Sequence, residues 1–595
     1  MTRRTNEERT GSAKVALRFL SVLPCTLFFF LSAFLFPVTE TYLGNIQEFT
    51  IAFSSLVGGL LLVWGGASLI AAFLVGLLPK TGRIAVSSVF FLLGLIAYLQ
   101  SNYLNGSMIS MTGEAENYAT SLVAGNLAVW AGVFAVGIAA VALLLCFHRG
   151  KILLFAVVPL SLLLLFMQTV GTAVGAATTT REREIPSRGL TDEGELSVAR
   201  DNNVVMFVLD TAAGEYVREA REQDPDLFVG FDGFTYYPDC LPVYTRTYPA
   251  IPYYLSGGHC YFDRAASDYI NEAADASDYL PKMSKNGIKI GIYTPDSPLV
   301  GDALLPLIEN ATFKDETPSY NPLLLSRYSF SLSLKRIAPY LVKPAVIERL
   351  EAFNNRTVIS EYDPPKTETG FYSALLENGL TVEEGEGCFR FIHFFGPHPG
   401  TQLRPDGTSV GRYTSEPEAV RGDFTIIKAY LAELKRLGLY DKTTVIITAD
   451  HGDSRLSAYE EGGYLDVIRG ADMLMMVKPA SSTEGFSEST VQVSASDLFA
   501  TVYAGLGLDP APYGTPIPEL PAGERTRYLY YTAIYHDRYG EIARMTYRVT
   551  GDCRDAANYR WTGEYYDIEH SFFKVSRTVR FDPSLMQQEP LEPTP

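Results

Sequence analysis

The sequence predicts an N-terminal transmembrane domain of five helices, then an α/β domain with a mainly parallel central sheet, then a small C-terminal antiparallel sheet. Three observations predict it. Apolar runs dominate the first 175 residues, β-branched runs ending in acids or histidines alternate with helical stretches through the middle, and the end of the chain is Tyr-rich.

The apolar runs are residues 17–38, 51–78, 84–101, 122–147 and 152–174. Each is near or above the ~20 residues that cross a bilayer. Four further spans, and no small-residue cleavage site before a polar start, argue against reading the first as a signal peptide. Charge then orients them. Arg3, Arg4, Arg9, Lys14 and Arg18 precede the first span, Lys80 and Arg83 follow the second, and His148, Arg149 and Lys151 follow the fourth. The alternate loops carry Glu40, Glu48, Glu114 and Glu116 and no Lys or Arg. By the positive-inside rule the N-terminus is cytoplasmic, and an odd number of spans places everything after about residue 176 outside.

Residues 176–200 are polar, with Pro and Gly, and read as a juxtamembrane linker. The α/β domain is expected over 201–515. It opens with NNVVMFVLDTA, a buried-strand run ending in Asp210. A helix at 274–286 precedes the strand IKIGIYT (288–294), and FRFIHFF (389–395) is a further strand. A helix near 417–437 leads to the strand at 444–449, and a helix at 491–507 is capped by Ser494 or Ser496. Strands alternating with helices argue for a mainly parallel sheet covered on both faces. An antiparallel subdomain is expected over 516–586, packed on the α/β domain, and a disordered tail over 587–595.

The formal charge of −18 and the lack of a basic stripe exclude a nucleic-acid partner. Of six Cys, Cys25 and Cys146 lie in apolar runs, whereas Cys240, Cys260, Cys388 and Cys553 lie in the polar part. If the polar part is exported, these four allow one or two disulfides in three connectivities; were Cys240 and Cys260 to pair, the bridge would stiffen the loop that holds Thr247 and leave Cys388 and Cys553 to join strand to appended sheet.

Four stretches carry chemistry. TVIITADHGDSR (444–455) delivers Asp450, His451 and Asp453 to the carboxyl end of a buried strand, where open α/β sheets place their ligands. Hard oxygens beside an imidazole suit a divalent metal. Asp210 ends its strand in the same way, so both acids should meet on one sheet edge. TRTYPAIPYYLSGG (245–258) reads as a constrained turn into a helix, and a hydroxyl there, near a metal, is a candidate nucleophile. FIHFFGPHPG places His393 and His398 at a strand end, facing the site.

In this order the residues resemble the sulfatase-like branch of the alkaline phosphatase superfamily: strand Asp, hydroxyl before a helix, His-containing turn, then D-H-G. The layout looks most like the membrane-bound phosphoglycerol and phosphoethanolamine transferases, lipoteichoic acid synthases among them. Sulfatases read C-x-P-S-R, three residues, then Leu-Thr-Gly. This chain reads Thr247-Tyr248-Pro249-Ala250-Ile251, three residues, then Leu255-Ser256-Gly257. The resemblance implies Thr247 as nucleophile, with Asp210, Thr247, Asp450 and His451 as ligands of one divalent ion (Mn²⁺ foremost, Mg²⁺ or Zn²⁺ otherwise). It implies His398 as the His of the turn, with His393 an alternative acid or base, and Arg246 and Arg455 as substrate-contacting cations.

Thr cannot be oxidised to the formylglycine of sulfatases, and Ala250-Ile251 replaces their Ser-Arg, which disfavours a sulfatase. Asp210 is followed by Thr211 and Ala212 rather than a second acid, so one metal is expected. The implied activity moves a phospho-headgroup from a membrane phospholipid to an envelope glycan or lipid acceptor through a phosphothreonine. The implied place is a bacterial plasma membrane, with the catalytic domain extracytoplasmic. The competing readings are a sulfatase-like phosphodiesterase and a catalytically inactive lipid-binding sensor.

Overall fold

A computed structural model describes residues 2–44, 49, 51–105, 120–179, 188–261, 266–295, 299–313, 319–343, 358–359, 365–409, 413–453, 464–483, 485–535 and 540–567. The chain forms two compact units. One comprises Met1–Pro186 with Glu316–Glu361, the other Ser187–Asp315 with Tyr362–Pro595.

The first unit holds five helices long and apolar enough to cross a membrane: α1 (Ala16–Gly44), α2 (Phe53–Gly76), α3 (Lys80–Leu104), α4 (Val123–Cys146) and α5 (Gly150–Thr178). Many of their large apolar side chains, Leu62, Ile70, Val136 and Phe155 among them, are exposed, as lipid-facing side chains are. Glycines mark which ends meet. Gly76 lies against Phe19 and Gly150 against Ile84, whereas Gly175 lies against Leu43. The spans alternate in direction, so the fifth ends on the same side as the first. This is a membrane protein with an N-terminal membrane domain.

The second unit is built in chain order from β1 (Asn203–Leu209), α6 (Gly214–Gln223), β2 (Thr235–Tyr236), α7 (Thr247–Ser256), α8 (Ala266–Ala276), α9 (Tyr279–Lys285) and β3 (Ile288–Tyr293). The chain then passes through the first unit, where it forms α10 (Pro322–Ile337), and returns as α11 (Glu368–Asn378), β4 (Gly387–Phe394), α12 (Glu416–Leu437), β5 (Thr443–Thr448), β6 (Met475–Lys478), β7 (Ser487–Glu488) and α13 (Leu498–Gly505). Three antiparallel strands follow: β8 (Thr526–Tyr535), β9 (Gly540–Thr550) and β10 (Tyr559–Asp567).

The central sheet runs β7-β2-β6-β5-β1-β4-β3, with β5, β1, β4 and β3 mutually parallel and β6 antiparallel to β5. Every residue of β1, β4 and β5 is buried, which is what continuous apolar, β-branched or aromatic runs are for. The longest covering helix, α12, starts on a capping box between Ser415 and Glu418 and stops on left-handed Gly438. Phe207 of β1 packs edge-on against Tyr430 of α12 at 5.2 Å, and this contact belongs to the unit's one large apolar cluster.

Several elements differ from expectation. The linker stretch is already structured from Arg188, where Arg188–Leu190 pairs with Ala311–Phe313 and Ser197–Ala199 pairs with Thr381–Glu383. The contiguous α/β domain is interrupted, since Glu316–Glu361 groups with the membrane helices. The helix expected at 274–286 is two helices, α8 and α9. The one expected at 491–507 begins only at Leu498, because Val493–Ser494 pairs as a strand with Cys240–Leu241 and Ser494 caps a short 3₁₀ turn. None of Cys240, Cys260, Cys388 and Cys553 is joined in a disulfide. Cys240, Cys260 and Cys388 are buried in the large apolar cluster, where Cys388 donates to Asn203 Oδ1 at 3.1 Å, whereas Cys553 belongs to the separate core of the C-terminal sheet. The tail at 587–595 lies outside the described residues.

Candidate functional site

Register brings the acids together. Val208 of β1 pairs with Thr448 of β5, so Asp210 and Asp450, each two residues further on, leave the sheet at one level. On the other side Val208 pairs with His393, the penultimate residue of β4. Donor atoms of Asp210, His393 and Asp450 all lie within 4.8 Å of one another, and all three residues are buried.

Asp450 divides its two oxygens. Oδ1 accepts from the backbone N–H groups of Thr211 and His451, both at 2.9 Å. Oδ2 is buried, accepts no hydrogen bond, and lies 3.4 Å from His451 Nε2. His451 Nδ1 lies 2.6 Å from the Gly452 carbonyl oxygen. A carbonyl only accepts, so Nδ1 carries a proton and Nε2 is the ring nitrogen turned towards the acids. Tyr254, on α7, donates to the Ala449 carbonyl at 2.9 Å and secures the same strand end. Burial, with the Asp450 charge beside it, pushes that phenol well above its ordinary value, so it stays a donor.

Thr247 is the first residue of α7, and Arg246 is its N-cap with extended backbone. The Thr247 hydroxyl donates to Asp210 Oδ2 at 3.4 Å and lies 3.3 Å from His451 Nε2. Thr211 has φ +62°, a costly conformation for a β-branched residue. There its own hydroxyl donates to Asp210 Oδ1 at 2.7 Å. A hydroxyl and not a second carboxylate thus stands beside Asp210 at this position.

The structure therefore gathers Asp210, Thr247, Asp450 and His451, and adds His393, expected as an acid or base, to the group of donor atoms. His393 Nδ1 is 3.0 Å from the Thr294 hydroxyl, a partner that no sequence signal marked. The set fits a divalent cation on this chain's own geometry. It combines two carboxylates, a hydroxyl and imidazole nitrogens, with one buried carboxylate oxygen that accepts nothing from the protein and is costly without a counter-charge.

His398 stands on the adjoining turn and is not a member of that group. Its Nδ1 lies 3.0 Å from the Pro399 carbonyl oxygen and its ring meets Phe395 edge-on at 4.6 Å. The turn itself is pressed onto Asp210. Gly396 has φ +57°, and a Cβ there would lie 2.9 Å from the Asp210 nitrogen. Gly396 N donates to Glu368 Oε1 of α11 at 2.7 Å. Arg246 is half-buried beside Thr247, and Arg455 lies outside the described residues. Asp453 accepts from the Tyr216 hydroxyl and faces Arg469 at 3.6 Å, which ties the loop to α6. His259 packs among Tyr244, Tyr253 and Tyr530, with its pKa lowered by burial and then by Arg544.

No family model matches the sequence, and no curated protein matches it. Among solved structures the chain is similar to an alkaline phosphatase superfamily protein from Vibrio parahaemolyticus, at 11% identity and TM-score 0.33 over 68% of this chain and 87% of that one. It is similar to a phosphonate monoester hydrolase from Silicibacter pomeroyi, at 16% identity and TM-score 0.34 over 65% and 92%. It is also similar to the lipoteichoic acid synthase LtaP from Listeria monocytogenes, at 11% identity and TM-score 0.30 over 59% and 85%.

Proposed function

We propose that this protein is a metal-dependent transferase that moves a phospho-headgroup, of phosphoglycerol or phosphoethanolamine type, from a membrane phospholipid to an envelope glycan or lipid acceptor. The observation that carries the reading is Thr247. Its hydroxyl opens a helix and is held between Asp210 Oδ2 and His451 Nε2, beside a buried Asp450 oxygen with no protein donor. Asp210, Thr247, His393, Asp450 and His451 would hold one divalent ion, Mn²⁺ foremost. Bound there, the ion supplies positive charge that acidifies a hydroxyl and offsets charge on a transferring phosphoryl group.

The chain's own residues do the rest. Thr247 Oγ1 attacks the headgroup phosphorus and its proton passes to Asp210 Oδ2, the acceptor it already faces. The bond from phosphorus to the diacylglycerol oxygen breaks, and that oxygen takes a proton from His398 Nε2. Nδ1 of His398 stays on the Pro399 carbonyl and keeps the ring oriented. In the second half His398 removes the proton of an acceptor hydroxyl, which attacks the phosphothreonine, and Thr247 recovers its proton from Asp210. The N-terminal end of α7 and Arg246 face the anionic headgroup with positive charge. A Cys or Ser oxidisable to an aldehyde would favour a sulfatase, and Thr247 is neither. Arginine and lysine before the first, third and fifth spans, with none in the alternate loops, support the reading that this chemistry lies on the outer face of the plasma membrane.

The test incubates the full-length protein with vesicles of labelled phosphatidylglycerol or phosphatidylethanolamine and Mn²⁺. Wild type is expected to release diacylglycerol, and Thr247→Ala to lose about a thousandfold or more of that rate, the scale on which a nucleophile counts. A fully active Thr247→Ala protein would sink the nucleophile assignment. Headgroup phosphate released to water even when acceptor is present would make the enzyme a hydrolase.

A further inference from the structure

Helix α10 has the wrong polarity for a helix in water. Its inward face puts Leu325, Tyr328 and Leu332 into a cluster with Leu35, Phe36, Tyr42, Leu56 and Leu60 of α1 and α2. Between them Ser326, Ser329 and Ser333 are buried, and Ser333 donates to the Phe34 carbonyl at 3.5 Å. Its outward face is apolar as well, apart from the exposed Arg327, whose guanidinium turns over the Tyr328 ring at 5.9 Å. Leu323 is 72% exposed and Phe330 38%, Leu334 and Ile337 are half-buried, and Leu341 just beyond is 62% exposed. A helix on a water-facing surface reverses this arrangement, with polar groups outward. Small residues at the helix contact and apolar ones outside are what a lipid environment selects.

Depth agrees. Leu325 sits against Gly59, where a Cβ would lie 2.6 Å from Leu325 Cδ2. Phe330 stacks on Phe34 at 5.3 Å and reaches Trp64 at 6.2 Å. Trp64 lies three turns into α2 from Phe53, about 16 Å at the rise of an α-helix, which is half of a hydrocarbon core. The polar end of the element is tied off at the ends of the spans. Arg336 pairs with Glu40 at 2.7 Å, the Arg336 carbonyl accepts from Asn105 at 2.8 Å, and Tyr340 N donates to Asn126 at 3.1 Å.

We infer that residues 319–343, although they interrupt the sequence of the α/β unit, form a membrane-embedded element. The Leu323 and Phe330 face of α10, with Leu341 just beyond it, packs against phospholipid acyl chains in the leaflet where α5 ends. This inference is independent of the catalytic reading. Its consequence is mechanical: the chain passes between the two units three times, after residues 186, 315 and 361. The α/β unit is thereby tied to the membrane by three connections instead of one flexible linker.

Spin labels test it. Leu323→Cys, Phe330→Cys and Leu341→Cys are made in the full chain with the exposed Cys146 changed to Ser, labelled in detergent and reconstituted into phosphatidylglycerol–phosphatidylethanolamine vesicles. Val229→Cys, at a residue 65% exposed on the α/β unit, is the water-facing reference. Oxygen partitions into acyl chains and a nickel chelate stays in water. Oxygen is expected to relax the labels at 323, 330 and 341 several-fold more than the chelate does, with the order reversed at 229. Chelate-dominated relaxation at 323 and 330 would place the face in water and overturn the inference. Low relaxation by both agents would place a protein surface over it and overturn the inference equally.

Discussion

At the residue scale the site is a matter of which lone pairs are already used. Asp450 Oδ1 serves the backbone of Thr211 and His451, and Gly452 holds the His451 proton on Nδ1. What remains, Asp450 Oδ2 and His451 Nε2, converges with Thr247 and Asp210. Asp450→Asn separates the two duties, because its amide oxygen still accepts the two N–H groups while its NH₂ puts a donor where acceptors are needed. The protein is expected to fold, to drop from one bound Mn²⁺ per chain to nearly none in metal analysis, and to lose activity by about a hundredfold or more. Two equivalents in wild type would refute the proposed single-ion site, in which Thr211, hydrogen-bonded to Asp210, follows that acid in place of a second one. Asp210, Thr247, Asp450 and His451 were legible because each sits at the end of a strand or start of a helix that its neighbours announce. His393 was legible as a site residue and not as a ligand. Its place depends on the register of β4 against β1, a contact between residues far apart in the chain.

At the element scale, the parallel strands β1, β4 and β5 and helix α12 were legible because their burial is written as continuous apolar runs or as a capped 3.6-residue period. Strand β6, built on Met475 and Met476, was not, since unbranched Met carries no β signal. Helix α10 escaped for a related reason: its serines interrupt the apolar run that would have marked a membrane segment. The turn after β4 shows how elements position chemistry without supplying it. Gly396, at φ +57°, lets the His398 turn close on the backbone of Asp210, and Glu368 receives its N–H. Gly396→Ala adds the strain of a left-handed alanine, about 1–2 kcal/mol. It also puts a methyl group 2.9 Å from the Asp210 nitrogen, so the turn must back away. Activity is expected to fall about tenfold to a hundredfold, as displaced catalytic groups do, with the melting temperature lowered by only a few degrees. Wild-type turnover in Gly396→Ala would show that the approach of the turn to Asp210 is not needed.

At the scale of the whole molecule, the five spans and their alternation followed from hydropathy and loop charge, whereas the division of the chain between the units did not, because contact and not composition decides it. The −18 charge hides a further property, a set of carboxyls that burial makes harder to ionise. Burial pushes Glu195 up to about 8, with Lys366 opposing. It pushes Asp472 up to about 6 although Arg218 lies 2.8 Å away, and burial with the Glu368 charge holds Asp423 well above the carboxylate range. In the unfolded chain these groups titrate near 4. The folded state therefore binds protons that the unfolded state has released, and stability falls as pH rises. The contribution is complete below about pH 4, and is lost through about 6 for Asp472 and about 8 for Glu195. Glu195→Gln isolates one member, since its amide oxygen still accepts from Lys366 N and it has no proton to lose. Thermal unfolding of the full chain in detergent is expected to give nearly equal melting temperatures for wild type and Glu195→Gln at about pH 4.5, and a higher one for the variant at about pH 9. Parallel curves across that range would mean that Glu195 is ionised in the folded protein at neutral pH, with Lys366 and not the proton as its counter-charge.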